Sequence, residues 1–340
     1  MNQTIIFLII LMQSYIYSDV EIVPSQETFI CLEIGHTRIK AATLPSSFSL
    51  EDIKKIKVIT SFAKPYLQQN LSDLFQNESS PIFPLLKSDS STVSLSIFGP
   101  IFDGKIHGNA EKEGVPKEIK SSLENDTKRT VLVEGDAACF AAGALEYLNL
   151  SSHPVQFPCL VITLGTGVGV AFAENPYTIH SLELWGHLAS FPNFALLTEV
   201  SPPSEILNKR YLSKISQGDA FIEEKMHSGY AQAFQTHVEA FVKDISAYIH
   251  EIFPQVAPIC SVVIGGGLSR FLNASSPFIL LTPQNLENQG FDPDIIQLLG
   301  CHRLCKKPHI FTSTYPSLEE TSKLIESFKK KPEDHHNLPL

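Results

Sequence analysis

The sequence predicts an α/β protein made of two domains with the same architecture. The stretch TFICLEIGHTRIKAATL, residues 28–44, alternates in the manner of two paired strands on either side of a glycine turn. The stretch CLVITLGTGVGVAFAEN, residues 159–175, repeats this strand–turn–strand pattern with different residues. Further strand-like and helix-like segments follow each stretch. A chain of 340 residues is long enough for two domains that each have a core.

The composition is that of a globular protein. Hydrophobic residues make up 43% of the chain and charged residues 18%, which is too apolar for a disordered protein. The formal net charge of -10 argues against nucleic acid or an anionic membrane surface as the main partner. Local basic groups can still bind a phosphate.

Four of the six cysteines, Cys31, Cys139, Cys159 and Cys260, lie in apolar runs and are expected to be small buried residues. Cys301 and Cys305 flank His302 in the segment CHRLC. A zinc site needs further ligands at suitable spacing, and no second pair stands nearby. We therefore expect no metal at this segment.

The N-terminus carries the apolar run TIIFLIILM, which is too short to span a bilayer because a spanning helix needs about 20 residues. Its length suits the core of a signal peptide. However, no Lys or Arg precedes it, and the following QSYIYSDV is a poor cleavage site. A secreted protein, a short membrane anchor and a misassigned start all remain open.

The first half continues with five segments after the opening hairpin. IKKIKVITSFA predicts a third strand, KPYLQQNLSDLFQN a helix, STVSLSIFGP a strand that ends at Gly99, and VPKEIKSSLEN a helix with a proline in its first turn. RTVLVEGDAACFAAGALEYL predicts a buried strand, a turn over residues 134–136 and an alanine-rich helix. The loop NLSSHPVQFP marks a domain boundary near residue 150.

In the second half, the hairpin is followed by predicted helices over residues 203–210, 219–227 and 231–253. ICSVVIGGGLSRFL predicts a strand, a triple glycine and a helix. SPFILLTP and PHIFTSTY are late strands, and SLEETSKLIESFKKK is a closing helix with Ser317 as its N-cap. The organisation predicted is an extension over residues 1–27, domains over 28–150 and 151–330, and a tail over 331–340. The last helix is expected to pack back on the first domain.

Three glycine-rich turns leave strands, and one acid stands at a strand-to-helix turn. A glycine turn exposes backbone N–H groups and lets them approach a phosphate, because no Cβ stands in the way. We expect Gly35 to adopt a positive φ in the first turn. Arg38 and Lys40 just beyond this turn favour an anionic ligand. The predicted ligand turns are Gly35, His36 and Thr37; Gly165, Thr166, Gly167 and Gly169; and Gly265, Gly266 and Gly267.

The ordered segments EIGHTRIK, FGP, GNAEKEG, VEGDAACFAAG, LGTGVGV, WGH and VIGGGLS are similar to those of the ROK sugar kinases, from about residue 28 to residue 270. That family belongs to the actin/hexokinase-like ATPases. The resemblance implies two duplicated ribonuclease-H-like domains around an interdomain cleft. It also implies ATP-dependent phosphoryl transfer to a hydroxyl of a hexose or amino sugar, with ATP and Mg²⁺ bound.

The resemblance also implies a role for individual residues. Asp136 matches the catalytic aspartate that takes the hydroxyl proton, and a helix N-cap is the other interpretation of its position. Glu33 stands at the place of an acid near the metal and its waters. Residues of the two hairpins, with Arg38, would contact the phosphates, and Gly265–Gly267 would line the adenosine. The sugar-contacting positions are Asn109, Gly135, Glu183 and His187.

The sequence departs from the family pattern at several of these positions. His36 puts a side chain where the family has a glycine, Glu33 is longer than the usual aspartate, and Gly135 replaces an asparagine. Leu184 stands where an acid is expected, so Glu183 would need a local bulge. No cysteine-rich motif follows His187, which predicts a zinc-free protein.

These departures keep a second function open, namely a degenerate relative that binds nucleotide or sugar without turnover and acts as a sensor or partner. ATP chemistry favours the cytoplasm. A homodimer, the identity of the sugar and polyphosphate as the donor remain open.

Overall fold

The structure is a computed structural model. It describes residues 27–35, 38–62, 71, 73–80, 82–86, 92–99, 101–102, 105–106, 115–165, 168–182, 231–273 and 276–312. The predicted helices over 203–210, 219–227 and 317–331, and the apolar N-terminal run, lie outside these residues.

The first sheet has five strands and is mixed. Its strands are β1 (Thr28–Ile34), β2 (Arg38–Pro45), β3 (Ile59–Phe62), β4 (Thr92–Ile97) and β7 (Thr130–Gly135), in the order β3-β2-β1-β4-β7. β5 (Ile101–Phe102) and β6 (Lys105–Ile106) form a separate two-stranded sheet. β1 is antiparallel to β2, β2 is antiparallel to β3, and β1, β4 and β7 are parallel.

The second sheet repeats this order and direction. Its strands are β8 (Cys159–Leu164), β9 (Val168–Asn175), β10 (Thr178–Ser181), β11 (Ser261–Gly265), β12 (Ile279–Leu281) and β13 (Phe311–Thr312). The order β12-β11-β8-β9-β10 is that of the first sheet, and β13 is added beside β10. β8, β11 and β12 are parallel, and β9 is antiparallel to β8 and β10. The predicted repetition of the architecture is confirmed.

The described α-helices differ greatly in length. They are α1 (Leu50–Ile53), α2 (Asp73–Gln76), α3 (Phe83–Leu86), α4 (Ile119–Thr127), α5 (Asp136–Leu150), α6 (Ala231–Ile252), α7 (Pro283–Asn288) and α8 (Ile295–Lys306). Two short 3₁₀ helices span Gly267–Phe271 and Pro308–Ile310. α1 begins with a capping box in which Ser49 and Asp52 bond each other's backbone N–H groups.

Three apolar cores fill the described part of the molecule. One outer core covers the first sheet with α2 and α4, and another covers the second sheet with α6. Strand alternation sends every second side chain to the opposite face. On β1, Phe29 and Cys31 therefore join a central core with α5, α8 and the inner face of the second sheet. The central core connects the two sheets.

Helices α5 and α8 cross closely in this central core. A Cβ added at Gly143 would lie 1.8 Å from the Ile296 carbonyl oxygen, and one at Gly300 would lie 1.8 Å from the Cys139 carbonyl oxygen. The two glycines permit a backbone-to-backbone approach that any side chain would prevent. Helix α8 also packs on β1, β4 and β2, so it returns the chain to the first sheet.

Several sequence predictions need correction. Gly35 does not have a positive φ, whereas Gly99, Gly266 and Gly290 do. Its N–H donates to the Arg38 carbonyl at 2.9 Å, so it serves the tight closure of the hairpin. Cys260 is exposed, not buried. The helix predicted with a proline in its first turn begins later, at Ile119.

The segment CHRLC forms part of α8. Cys301 is buried and donates to the Leu32 carbonyl at 3.1 Å. His302 packs against the rings of Phe29 and Phe48, and burial lowers its pKa to about 4. His302 is therefore a neutral packing residue at pH 7. Among the described residues, no group of three or more His, Cys, Asp or Glu side chains is arranged to hold a metal ion.

Helix α6 is the longest helix that the structure describes. Val238, Phe241, Ile245 and Ile249 are buried on one of its faces, as their spacing predicts. Within the described ranges, no helix combines the length and the apolar character that crossing a membrane requires.

Candidate active site

The carboxyl ends of parallel strands meet at one edge of each sheet, which is where open α/β sheets bind ligands. In the first sheet, Glu33 lies near the end of β1, Ser96 near the end of β4, and Asp136 directly after β7. In the second sheet, Gly165 follows β8, and the triple glycine closes β11. The described parts of the three predicted ligand turns thus stand at the carboxyl edges of the two sheets.

Helix α5 brings these two edges together. A Cβ added at Gly169 would lie 3.1 Å from the Cβ of Ala137, and one at Gly265 would lie 2.4 Å from Cζ of Phe140. The first turns of α5 therefore pack against the start of β9 and the end of β11. Asp136 is the first residue of α5, so it lies one residue away from the contact with the second glycine hairpin.

The N-cap of α5 is Gly135, so Asp136 itself occupies the first helical position. Its Oδ1 accepts a hydrogen bond from the Ala137 N–H at 2.8 Å. Burial and the charge of Glu33 raise the pKa of Asp136 to about 7, against the opposing effects of the Ala137 N–H and of Lys40. A carboxyl of this kind can exchange a proton near neutral pH.

Glu33 is paired with a lysine on the neighbouring strand. Lys40 stands opposite Glu33 in the β1–β2 register, and its Nζ lies 2.8 Å from Oε2 of Glu33. The same Nζ lies 3.1 Å from Oδ1 of Asp294, just before α8. Burial raises the pKa of Glu33, and Lys40 opposes that rise. Burial alone would lower the pKa of Lys40, but the carboxylates of Glu33 and Asp294 raise it above its usual value.

Sequence reasoning assigned no role to Gln297, although this residue reaches the site. Its Nε2 donates to the Asp136 carbonyl at 2.6 Å and to Oγ of Ser96 at 2.7 Å. Sequence reasoning also assigned no role to Glu134. Burial raises the pKa of Glu134 to about 7, and the hydrogen bond from the Gly135 N–H opposes that rise. The single available clue to Glu134 was an ionisable residue inside an apolar strand.

The third glycine turn is tied to the end of β8. Gly266 has φ +86°, and a Cβ there would lie 2.5 Å from the Leu164 carbonyl oxygen. This position therefore requires glycine on two grounds. At Gly267, by contrast, an added Cβ would meet nothing within 4 Å. The predicted helix after this turn is a 3₁₀ helix.

Several predicted site residues lie outside the described residues. They are His36, Thr37, Asn109, Thr166, Gly167, Glu183, Leu184 and His187. Of the predicted residues that are described, Glu33, Gly35, Arg38, Gly135 and Asp136 belong to the first sheet and its edge. Gly165, Gly169 and Gly265–Gly267 belong to the edge of the second sheet.

A magnesium ion fits this site only indirectly. Mg²⁺ usually keeps several waters and takes one or two protein carboxylates together with substrate phosphates. Glu33 and Asp136 are close enough to interact electrostatically. One oxygen of Glu33 is engaged by Lys40, so this pair suits contact with metal-bound waters better than direct coordination.

Comparisons with known proteins support the family resemblance. The ROK family model matches residues 29–192. A ROK family protein from Streptococcus pneumoniae TIGR4, solved with sucrose, superposes with a TM-score of 0.51 at 17% identity, covering 83% of this chain and 99% of that one. Among curated proteins, none matches this chain in sequence.

Two further solved structures have lower TM-scores. An inorganic polyphosphate/ATP-glucomannokinase from Arthrobacter sp. strain KM gives 0.48 at 19% identity, covering 83% of this chain and 100% of that one. A ROK family glucokinase from Streptomyces griseus, solved with glucose and AMPPNP, gives 0.46 at 15% identity, covering 82% and 98%.

The Streptococcus pneumoniae structure shows that this chain has the fold of a ROK family protein. The predicted fold class is confirmed, because the chain has this fold and its two mixed sheets share the strand order expected of two duplicated α/β domains. The resemblance that the motifs indicate is confirmed over residues 29–192.

Proposed function

Because residues 29–192 match the ROK family model, we propose that this protein transfers a phosphoryl group from ATP to a hydroxyl of a hexose or amino sugar. The observation that carries the proposal is the position of Asp136. It stands at the carboxyl edge of the first sheet, one residue from the contact with the second glycine hairpin, and burial raises its pKa to about 7.

In this proposal Asp136 is the general base. The sugar oxygen attacks the terminal phosphorus in line, its proton passes to the Asp136 carboxylate, and ADP leaves with the bridging oxygen. Such a base contributes about 10²- to 10⁴-fold to the rate. Magnesium would neutralise charge on the phosphates, and Glu33 would hold its waters.

The remaining ligand contacts follow the family resemblance. The phosphates would lie between the turn at Gly35–Arg38 and the turn at Gly165–Gly169, where glycine leaves backbone N–H groups accessible. The adenosine would lie against Gly265–Gly267, of which Gly267 faces open space. Asn109, Gly135, Glu183 and His187 would contact the sugar. We propose domains over residues 28–150 and 151–330, and no structural zinc.

The test is ADP release by the wild type and by Asp136→Asn against a panel of hexoses and amino sugars, with ATP and polyphosphate as donors. We expect turnover of at least one sugar and a loss of about 10²-fold or more in the variant. A wild type that phosphorylates no sugar, or a variant as active as the wild type, overturns the proposal.

A second candidate is a degenerate relative that binds nucleotide or sugar without turnover. Two observations favour it: Gly135 offers no side chain to a sugar hydroxyl, and Lys40 already occupies one oxygen of Glu33. Calorimetry with MgADP and with sugars separates the two functions, because a sensor would bind without releasing ADP from ATP.

ATP as the substrate places the proposed enzyme in the cytoplasm. Deletion of residues 1–18 tests this, since a membrane-anchored protein would pellet with membranes only when it is full length. A homodimer is a further proposal, which size-exclusion chromatography with light scattering tests.

A further inference from the structure

The first turn of helix α8 reaches the candidate active site from a distant part of the chain. Gln297 is 161 residues from Asp136 in sequence, and Asp294 directly precedes the helix. Both residues make polar contacts with the carboxyl edge of the first sheet. Neither lies in the segments that carry the family resemblance.

Gln297 is a buried amide in a helix that is otherwise mostly apolar at this end. Its neighbours Ile295, Ile296, Leu298 and Leu299 are all buried in the central core. A buried amide without partners is costly, so its hydrogen bonds determine whether this position tolerates it. Two hydrogen bonds from Gln297 go to the edge of the first sheet, one to the Asp136 carbonyl and one to Ser96 Oγ.

Asp294 acts on the other carboxylate through a lysine. The Nζ of Lys40 lies between Oδ1 of Asp294 at 3.1 Å and Oε2 of Glu33 at 2.8 Å. The exposed fractions of these side chains are 26% for Asp294, 18% for Lys40 and 13% for Glu33. Three charges with little access to solvent hold one another in a fixed arrangement.

We propose that the N-terminus of α8, from its N-cap Asp294 to Gln297, is a positioning element of this site. Gln297 holds Asp136, and Asp294 holds Lys40 against Glu33. This inference rests on the proposed function, because it assigns further residues to the same reaction. Gln297, Asp294 and Lys40 are positioning residues and not catalytic ones, since each acts through Asp136 or Glu33.

The docking of α8 does not depend on these polar contacts alone. At the far end of the helix, Nζ of Lys306 donates to the Ser46 carbonyl at 2.6 Å. Along its length, the helix is held by the central core and by its crossing with α5. Loss of the Gln297 amide is therefore expected to misplace Asp136 while the helix stays docked.

The first experiment compares Gln297→Met with Lys306→Met. Methionine keeps the length of the glutamine side chain but removes its donor. We expect kcat for the sugar identified in the panel to fall about 10- to 100-fold, because a small misplacement of a reacting group slows the reaction by such a factor. The KM values for the sugar and for MgATP should each change less than about twofold. Lys306→Met removes a tether at the other end of the same helix, and its kcat is expected to remain that of the wild type.

The second experiment compares Lys40→Met with Lys40→Arg and includes Asp294→Asn. Without the lysine charge, Glu33 loses the counter-ion that the described residues provide, so we expect the KM for MgATP to rise by about 5-fold or more. Arginine keeps the charge and is expected to restore most of the affinity. Asp294→Asn is expected to shift the same KM in the same direction by a smaller factor.

The outcomes distinguish the inference from the proposed function. A wild type without turnover overturns both. An active wild type whose kcat falls equally in Gln297→Met and Lys306→Met, or whose KM for MgATP is unchanged in Lys40→Met, overturns the inference alone. Far-UV circular dichroism checks folding, and if Gln297→Met does not fold, the Lys40 and Asp294 variants decide.

Discussion

At Asp136, the protein environment favours the protonated carboxyl. Burial and the charge of Glu33 raise its pKa to about 7, and the Ala137 N–H and Lys40 only partly offset them. A general base acts in its ionised form. We therefore expect kcat/KM to rise with pH below about 7 and to level off above it, as measured by initial rates from pH 5 to pH 9.

Glu134 is the control for this pH profile, because burial raises its pKa to about 7 as well. Glu134→Gln should keep the rise if Asp136 is the titrating base. A flat profile in the wild type contradicts the assignment. If the rise is lost in Glu134→Gln, Glu134 and not Asp136 is the titrating base.

The same environment implies that Asp136 reduces stability when it is ionised. Its folded pKa is raised from 3.8 to about 7, so the folded state is favoured most below the unfolded pKa, and this contribution is lost as pH rises towards 7. We expect Asp136→Asn to be more stable than the wild type at pH 8 by on the order of 1 kcal/mol or more, and to show no such gain at pH 4.

Thermal unfolding of the two proteins at pH 4 and pH 8, without nucleotide, measures this difference. A variant that is less stable than the wild type at pH 8 would show that the carboxylate makes stabilising contacts there. The expected gain at the expense of activity is the usual relation between a buried functional group and stability.

At the scale of secondary-structure elements, α5 and α8 cross with their backbones in close contact at Gly143 and Gly300. A Cβ at Gly143 or Gly300 would lie 1.8 Å from a backbone oxygen, and backbone cannot move aside as a flexible side chain can. We expect Gly300→Ala to lower the free energy of unfolding by about 3 kcal/mol or more, at the upper end of overpacking effects.

Gly267→Ala is the matched control for that substitution, because an added Cβ there meets nothing within 4 Å. Urea unfolding of both variants gives the comparison. Equal midpoints for Gly300→Ala and the wild type would mean that the helices can separate without loss of stability.

The elements also show what the sequence could predict. The two hairpins and helix α6 were predictable because their apolar residues follow a strand or helix period over many residues. Asp136 could be placed because a strand, an acid and an alanine-rich helix are consecutive in sequence. These features depend on local order alone.

Helix α8 was not predicted, because its first ten residues are all buried and such a helix has no polar face to reveal its period. The pairing of Lys40 with Asp294 and the bond of Gln297 to Asp136 join segments far apart in sequence. No periodicity within one segment encodes such contacts, so the contributions of Asp294 and Gln297 to the site could be found only from the structure.

At the scale of the whole molecule, the central core joins the two halves of the chain. It combines strands β1 and β2 of the first sheet with β8 and β9 of the second, and α5 and α8 lie among them. Separate domains usually unfold in separate transitions. Here neither sheet can lose this core without exposing the inner face of the other.

We therefore expect the protein to unfold in one cooperative transition, and Leu299→Ala in α8 to lower its temperature as a whole. Leu299 is fully buried in the central core, so the substitution should cost about 2–5 kcal/mol. Val238→Ala, in the outer core of the second sheet, is the comparison, because it truncates a fully buried residue that contributes to one sheet only. Differential scanning calorimetry measures both variants. Each variant should shift a single unfolding peak whose calorimetric and van't Hoff enthalpies agree. A second peak that moves in Val238→Ala but not in Leu299→Ala would show that the two halves unfold independently and that the shared core does not couple them.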